Sequence, residues 1–416
     1  MRLLGTKLAA NSSHRGFGDQ LYDLSGVRPS LDLNFSANKS LIDSASGQNL
    51  VTFTRASSGT YVGSDGLIKT ATTDAPRFDH NPTTGESLGL LVEEQRTNLA
   101  LNTVLAGGTT PTSWTLAGTG DVPTIVLSTF GNADGAVALS FTSTASRGYL
   151  TQTVALLANT TYAFSVLVDD TSGYASGQSN IISLNNGPAG STITAATGSP
   201  TSKQRISTTI AVGATAGNVQ LRIGLGVGSN ATGTLILSRP QLEAGAFPTS
   251  YIPTTTATVT RSADVASITG ASFSSWYRQD EGTVFAEAPG IYSTGSVVTF
   301  SDGSNSNRIL LDHGTNTRRT RFISGGSEQA AFSPSYTYGT QLKTSFSYAS
   351  NYFSMANAGV LASGAPDTTG LLPVGIDRIF IGSNSTGAGT YSNTSIRRLT
   401  YWPTRLSDTS LQQVTQ

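Results

Sequence analysis

Residues 53–99, FTRASSGTYVGSDGLIKTATTDAPRFDHNPTTGESLGLLVEEQRTNL, decide the fold. The stretch is a series of short apolar runs, each followed by a turn. Thr60-Tyr61-Val62 meets Gly63-Ser64-Asp65-Gly66, and Leu67-Ile68 resumes the pattern. Asp-Gly between two β-rich runs predicts a type I′ hairpin turn, whose two central residues must tolerate positive φ. A second reversal is predicted at Asn81-Pro82-Thr83-Thr84-Gly85, where Pro presets one φ and Gly supplies another. Residues 88–92 then read as a buried strand, closed by the polar run Glu93-Glu94-Gln95-Arg96-Thr97-Asn98.

The rest of the chain has the same character. Its 416 residues allow two to three domains at roughly 100–200 residues each. Only 12% of residues are charged, 45 are glycine and 37% are hydrophobic, and no long segment carries a helical period. Abundant Ser and Thr with scattered aromatic and β-branched residues describe an all-β protein with many turns, not a disordered one. The formal net charge is +0, from 25 basic and 25 acidic residues, and no basic stripe points to nucleic acid or an anionic membrane. With no cysteine, disulfides, thiolate zinc sites and cysteine nucleophiles are excluded. The first ten residues lack the apolar core of a signal peptide, and no run approaches the ~18 apolar residues of a membrane span. The expectation is a soluble product of the cytoplasm without membrane insertion.

Five segments follow. Residues 1–30 lack a period, with Tyr22 and Leu24 in a short strand at most; they read as an anchor for a partner subunit or as a flexible leader. Residues 31–100 form a small β-rich module. Residues 101–246 carry strands at the 8–12-residue spacing of a sandwich; one of them places Tyr162, Phe164, Val166 and Val168 on a single face. Residues 247–266, with Pro248, Pro253 and many threonines, are an extended strap whose Tyr251 and Ile252 pack on the preceding sandwich. Residues 267–416 form a second sandwich and end in a short helix with Ser407 as its N-cap. Trp114, Trp276 and Trp402 sit in strand contexts and read as core.

The string FTRASSGTYV…DGLIKTA…PRFDHNPTTGESLGLLVEEQRTNL resembles a module of tailed-bacteriophage structural proteins, where it precedes β-sandwich domains. SRPQLEAGAFPTSYIPTTTATVTRSADVASI, residues 238–268, resembles the closing segment of such sandwiches. GTVFAE, DRIFIGS and SIRRLTYWPTRLSD resemble pieces of concanavalin-like or laminin-G-like lectin domains. The resemblance implies a jelly-roll sandwich followed by a lectin-like sandwich. It also implies residence in the virion, a trimer, and contacts to other virion proteins through the N-terminal segment. The function it implies is that of a tail fibre or appendage that attaches to host surface polysaccharide. The alternatives are an architectural head decoration, head fibre or tail adaptor, and, third, a polysaccharide depolymerase.

Catalytic patterns are sparse. His14, His80 and His313 fall in three regions, and neither His-Glu-x-x-His nor Gly-x-Ser-x-Gly occurs. His80 reads as a solvated or hydrogen-bonding turn residue. Glu281 and Glu287 would point the same way along a strand but stand roughly 20 Å apart, too far for a glycosidase pair. Glu93 and Glu94 read as solvated charges at a strand end. The expectation is therefore no enzyme and no catalytic residue. No cofactor is expected either; residues 302–307 and Asp312 offer oxygens for calcium, but a β-turn explains the Asp-Gly as well. Glycan binding is chemically natural for loop aromatics with polar neighbours, which selects Tyr336, Tyr338, Tyr391 and Asn393.

Overall fold

The computed structural model describes residues 20–108, 110–119, 124–128, 138–174, 181–194, 202–225, 231–291, 294–384 and 390–416. Among these residues strands dominate and pair antiparallel, giving the all-β sandwich fold expected from the sequence. The chain forms two compact units. One comprises residues 1–51, 267–380 and 396–416; the other comprises residues 52–266 and 381–395. The module expected over residues 31–100 is thus divided at residue 51.

In the first unit one sheet runs in the order Leu31–Leu33, Arg398–Trp402, Glu281–Pro289, Gln341–Ala349, Tyr352–Asn357 and Val360–Leu361. A second runs Gly295–Ser301, Arg308–Gly314, Thr317–Ser324 and Ser327–Phe332. The apolar-polar alternation of LDL sets Leu31 opposite Tyr401 and Leu33 opposite Leu399. Asp32 between them takes a bidentate guanidinium from Arg398, with both N–O distances 2.8 Å, and a hydroxyl from Thr400 at 2.9 Å. Tyr22 donates to the same carboxylate at 2.9 Å. Residues 20–30 are therefore packed on the body of their own chain. Residues 1–19, with His14, lie outside the described residues. Tyr22 lies in a helix, Gln20–Ser25, not a strand; its Leu21 joins Phe285, Trp402, Leu411 and Val414 in one apolar cluster. The closing helix Asp408–Val414 has the expected cap, Ser407 Oγ accepting from Ser410 N at 3.1 Å.

The second unit is built on one long strand, Ala138–Leu156. Its first half pairs with Thr124–Ser128 and Ala231–Ala244, its second half with Thr115–Thr119 and Gly217–Leu225. A strand that passes from one sheet to the next makes a corner of a sandwich. Thr161–Tyr174 lies between Ala231–Ala244 and Gln204–Ala211. Its Tyr162, Phe164, Val166 and Val168 enter the core together, beside Leu150, Ile210, Leu221, Ile223 and Leu235. Each fully buried side chain of this size contributes about 1.5–3 kcal/mol. Trp114, Trp276 and Trp402 are buried, as expected.

Two hairpins decorate this sandwich, Gly59–Val62 with Ile68–Ala71 and Phe78–His80 with Ser87–Val92. The first turn differs from the two-residue type I′ turn. Val62 pairs with Ile68, Gly63 N donates to Leu67 O at 2.8 Å, and within this loop only Gly66 has positive φ, at 74°. Asp65 instead accepts from Leu67 N through its side chain at 3.0 Å, which widens the loop. The second turn closes with Gly85 N on Asn81 O at 2.9 Å. The turns touch: a β-carbon on Gly66 would lie 2.4 Å from Pro82 O, and one on Gly85 2.7 Å from Ser64 O.

Candidate functional site

All residues of the candidate site belong to the second unit. The polar run that closes Ser87–Val92 turns inward. Glu93 is buried, not solvated, which corrects the sequence expectation. One oxygen of its carboxylate takes Arg77 Nη1 and Arg261 Nη1, both at 2.8 Å, and Ser250 Oγ at 2.6 Å. Ser250 N donates to the other oxygen at 2.7 Å. Burial alone would raise the Glu93 pKa, but the Arg261 and Arg77 guanidiniums outweigh it and hold the group at about 2. Asp264 is fully buried beside it. It takes Arg55 Nη1 at 3.0 Å, Arg77 Nη2, and the Glu93 backbone N–H at 2.9 Å. Three guanidiniums and two carboxylates thus tie the segments at residues 55, 77 and 93 to the strap at residues 250–264. Glu94 remains nearer the surface and pairs with Arg96.

The strap is ordered. Asn98 Nδ2 donates to Ile252 O at 2.8 Å, Gln241 Oε1 accepts from Ile252 N at 2.7 Å, and Val259–Arg261 pairs with Arg96–Asn98. Between the first hairpin, the sandwich and the strap lies a cleft of about 270 Å³. Its apolar wall includes Tyr61, Leu67, Pro82, Leu91 and Pro248. Its charged lining is Asp79, Glu93, Asp169, Lys203, Arg205 and Arg239. Burial raises the Asp79 pKa to about 6, against a hydrogen bond from Val62 N at 2.7 Å that works the other way. Burial also lowers Arg205 to about 10, still protonated at neutral pH. An apolar wall with a few convergent polar groups is the make-up of small-molecule sites. Here it suits a ring with C–H faces and hydrogen-bonding edges.

The residues selected from the sequence fall elsewhere. Tyr336 and Tyr338 belong to the first unit, Tyr391 and Asn393 to the second. Tyr336 lies over Gly290, where even a β-carbon would collide with the ring. Its hydroxyl donates to Ile291 O and accepts from Ile291 N at 3.2 Å. Tyr391 is buried, so its ring offers no stacking face to solvent. Asn393 serves the backbone, accepting from Glu94 N at 3.0 Å. Tyr338 is half exposed. His80 is buried with Nδ1 3.0 Å from Val62 O, which corrects the solvated alternative. The oxygen-rich loop is a turn, with Asp302 Oδ1 accepting from Ser304 N at 2.7 Å. Asp312 is engaged by Arg319 and Arg321.

The cleft residues went unselected because they come from three segments without a shared motif. A signal did exist: a chain with only 12% charged residues places Arg55 and Arg261 among apolar and hydroxyl neighbours, where a buried partner would justify them.

No family model and no curated protein matches the chain. Among solved structures it is similar to the CBM40 domain of a Ruminococcus gnavus sialidase bound to α2,6-sialyllactose. The identity is 15% and the TM-score 0.28, over 33% of this chain and 84% of that one. It is also similar to domain 4 of an extracellular arabinanase from Geobacillus stearothermophilus in complex with arabinotriose. There the identity is 13% and the TM-score 0.27, over 41% and 82% of the two chains. A Trypanosoma rangeli sialidase matches at 18% identity and TM-score 0.28, over 36% of this chain; the match spans 25% of the sialidase. Scores this low assign neither ligand nor activity. The expectation that the protein is not an enzyme is withdrawn, since sialidases stand among these matches.

Proposed function

We propose that this protein binds carbohydrate through the cleft of its second unit, as a tail fibre or appendage of a tailed bacteriophage that attaches to host surface polysaccharide. The observation that carries the reading is the cleft's composition: Tyr61, Leu67, Pro82 and Pro248 beside Asp79, Lys203 and Arg205. A sugar ring lays its C–H face on such a wall and turns its hydroxyls to such groups. The phage context rests on the sequence resemblance. Virion residence, trimeric assembly and contacts to other virion proteins belong to the same proposal. A trimer would repeat one weak site three times and gain avidity through effective concentration. Tyr338, on the first unit, is proposed as a further sugar contact.

The test is a glycan array probed with the full chain, followed by Tyr61→Ala and Leu67→Asp. Binding to host-envelope glycans that both variants lose supports the reading; a chain that binds no glycan refutes it. A second reading, cleavage of the bound polysaccharide, is favoured by one observation: two carboxyl residues, Asp79 and Asp169, line the same cleft, with Asp79 raised to about 6. Two carboxyl groups in one cleft, one of them with a raised pKa, are the residue types that acid-base glycoside hydrolysis uses. Release of reducing ends that Asp79→Asn abolishes would establish it.

A further inference from the structure

The charged groups lining the cleft do not cancel. Glu93 is neutralised beneath it by Arg77 and Arg261. Asp169 faces Arg239 at 3.5 Å. Lys203 and Arg205 have no carboxylate partner among the described residues. The Lys203 ammonium stands over the Gly66 turn and, among the described residues, reaches only Pro82 O, at 3.5 Å. Arg205 donates from Nε to Ser165 Oγ at 3.1 Å and from Nη2 to Arg239 O at 3.4 Å; Nη1 is left without a hydrogen bond among the described residues. The carboxylate of Glu243, whose field Arg205 feels, is already occupied by Gln241 Nε2 at 2.6 Å and by Thr249 N and Oγ1 at 2.8 and 2.6 Å. The chain keeps Arg205 charged at a cost in desolvation and leaves one fork of it open.

We infer that the ligand of this cleft is an anionic sugar residue, whose carboxylate or sulfate docks between Lys203 and Arg205 while its ring lies on Tyr61, Leu67 and Pro82. This rests on the reading of the cleft as a glycan site and specifies its substrate class. A planar guanidinium is matched to a two-oxygen anion, and the ammonium supplies a second charge without demanding geometry. At about 270 Å³ the cleft stands at the small end of ligand pockets, so it takes one ring of a polymer and not a run of them. Asp79 is the acid that would oppose such a ligand, and its raised pKa keeps it partly protonated near pH 6.

The experiment measures equilibrium binding of the full chain to uronate-containing polysaccharides and their carboxyl-reduced counterparts, and to sulfated galactans and their desulfated counterparts. The expected result is at least ~10-fold tighter binding to one charged member of a pair than to its neutral partner, a margin set by one charge-assisted hydrogen bond. That margin shrinks in high salt. Which pair shows it distinguishes carboxylate from sulfate. Arg205→Gln is expected to erase the margin; Lys203→Gln, at an exposed position that leaves folding intact, to reduce it several-fold. Equal binding to charged and neutral members overturns the anionic inference while leaving glycan binding in place. Absence of binding to every polysaccharide overturns both.

Discussion

In the first unit the buried carboxylate of Asp32 meets one guanidinium, Arg398, and two hydroxyls; in the second, Glu93 and Asp264 share three guanidiniums. Both arrangements join segments far apart in sequence: residue 32 to residue 398, and residues 55–93 to residues 250–264. The difference lies in balance. The Asp32 pair is one charge against one, closed by hydroxyls, and ties the edge strand of a sheet to its neighbour. The Glu93–Asp264 cluster carries an excess positive charge and lies directly under a cleft. A buried ion pair adds little net stability over an apolar replacement, yet losing one partner is costly because the other is left uncompensated. In both units, then, a carboxylate specifies which segments meet, and in the second unit the same joint also forms the floor of the proposed site.

The comparison can be broken most forcefully at Asp264. Asp264→Ala leaves Arg55 and Arg77 short of a carboxylate and is expected to cost about 3–5 kcal/mol. Urea unfolding followed by fluorescence of a Trp276→Phe, Trp402→Phe background, in which Trp114 alone reports, reads it, and a loss under 1 kcal/mol would show the cluster to be dispensable. Asp32→Asn keeps shape and some hydrogen bonds, so the first unit should lose less, about 1.5–3 kcal/mol; a loss equal to that of Asp264→Ala would erase the distinction drawn here. Acid sharpens the contrast. Glu93 has a folded pKa of about 2 against an ordinary 4.5, so its contribution is complete above about pH 4.5 and disappears as pH falls toward 2. In Glu93→Gln, the slope of stability against pH across that window should flatten, while Asp32→Asn leaves this contribution in place. Gly66→Ala, at φ 74° and 2.4 Å from Pro82 O, is expected to cost about 1–3 kcal/mol and to loosen the cleft rim. The smallest effect is Ser407→Ala, about 1 kcal/mol from loss of the cap on Ser410 N, read by denaturation of the first unit.

Much of the fold was legible. Strand alternation placed Tyr162, Phe164, Val166 and Val168 in one core, and Ser407 marked the last helix. Gly66 and Gly85 marked the two turns, although Asp65 took a side-chain role that a two-residue turn would not allow. Residues 20–25 misled because six residues carry too little period to separate helix from strand, and the apolar cluster around Trp402 made the choice. The candidate site was barely legible. Loop tyrosines can stack on sugars, but Tyr391 was drawn into the interior and Tyr336 onto Gly290. Glu93, which ends a strand in sequence, found two arginines there and had no reason to face water.

From its order of residues alone this chain was bound to form short antiparallel strands and tight turns, because side-chain alternation and the conformational limits of Gly, Pro and Asp act over a few neighbours. Which strands meet, which charges are buried, and that Asp79, Lys203 and Arg205 line one cleft were decided only in three dimensions. Ion pairing and cavity shape act between atoms close in space, and residues as far as 366 positions apart carry no local trace of each other.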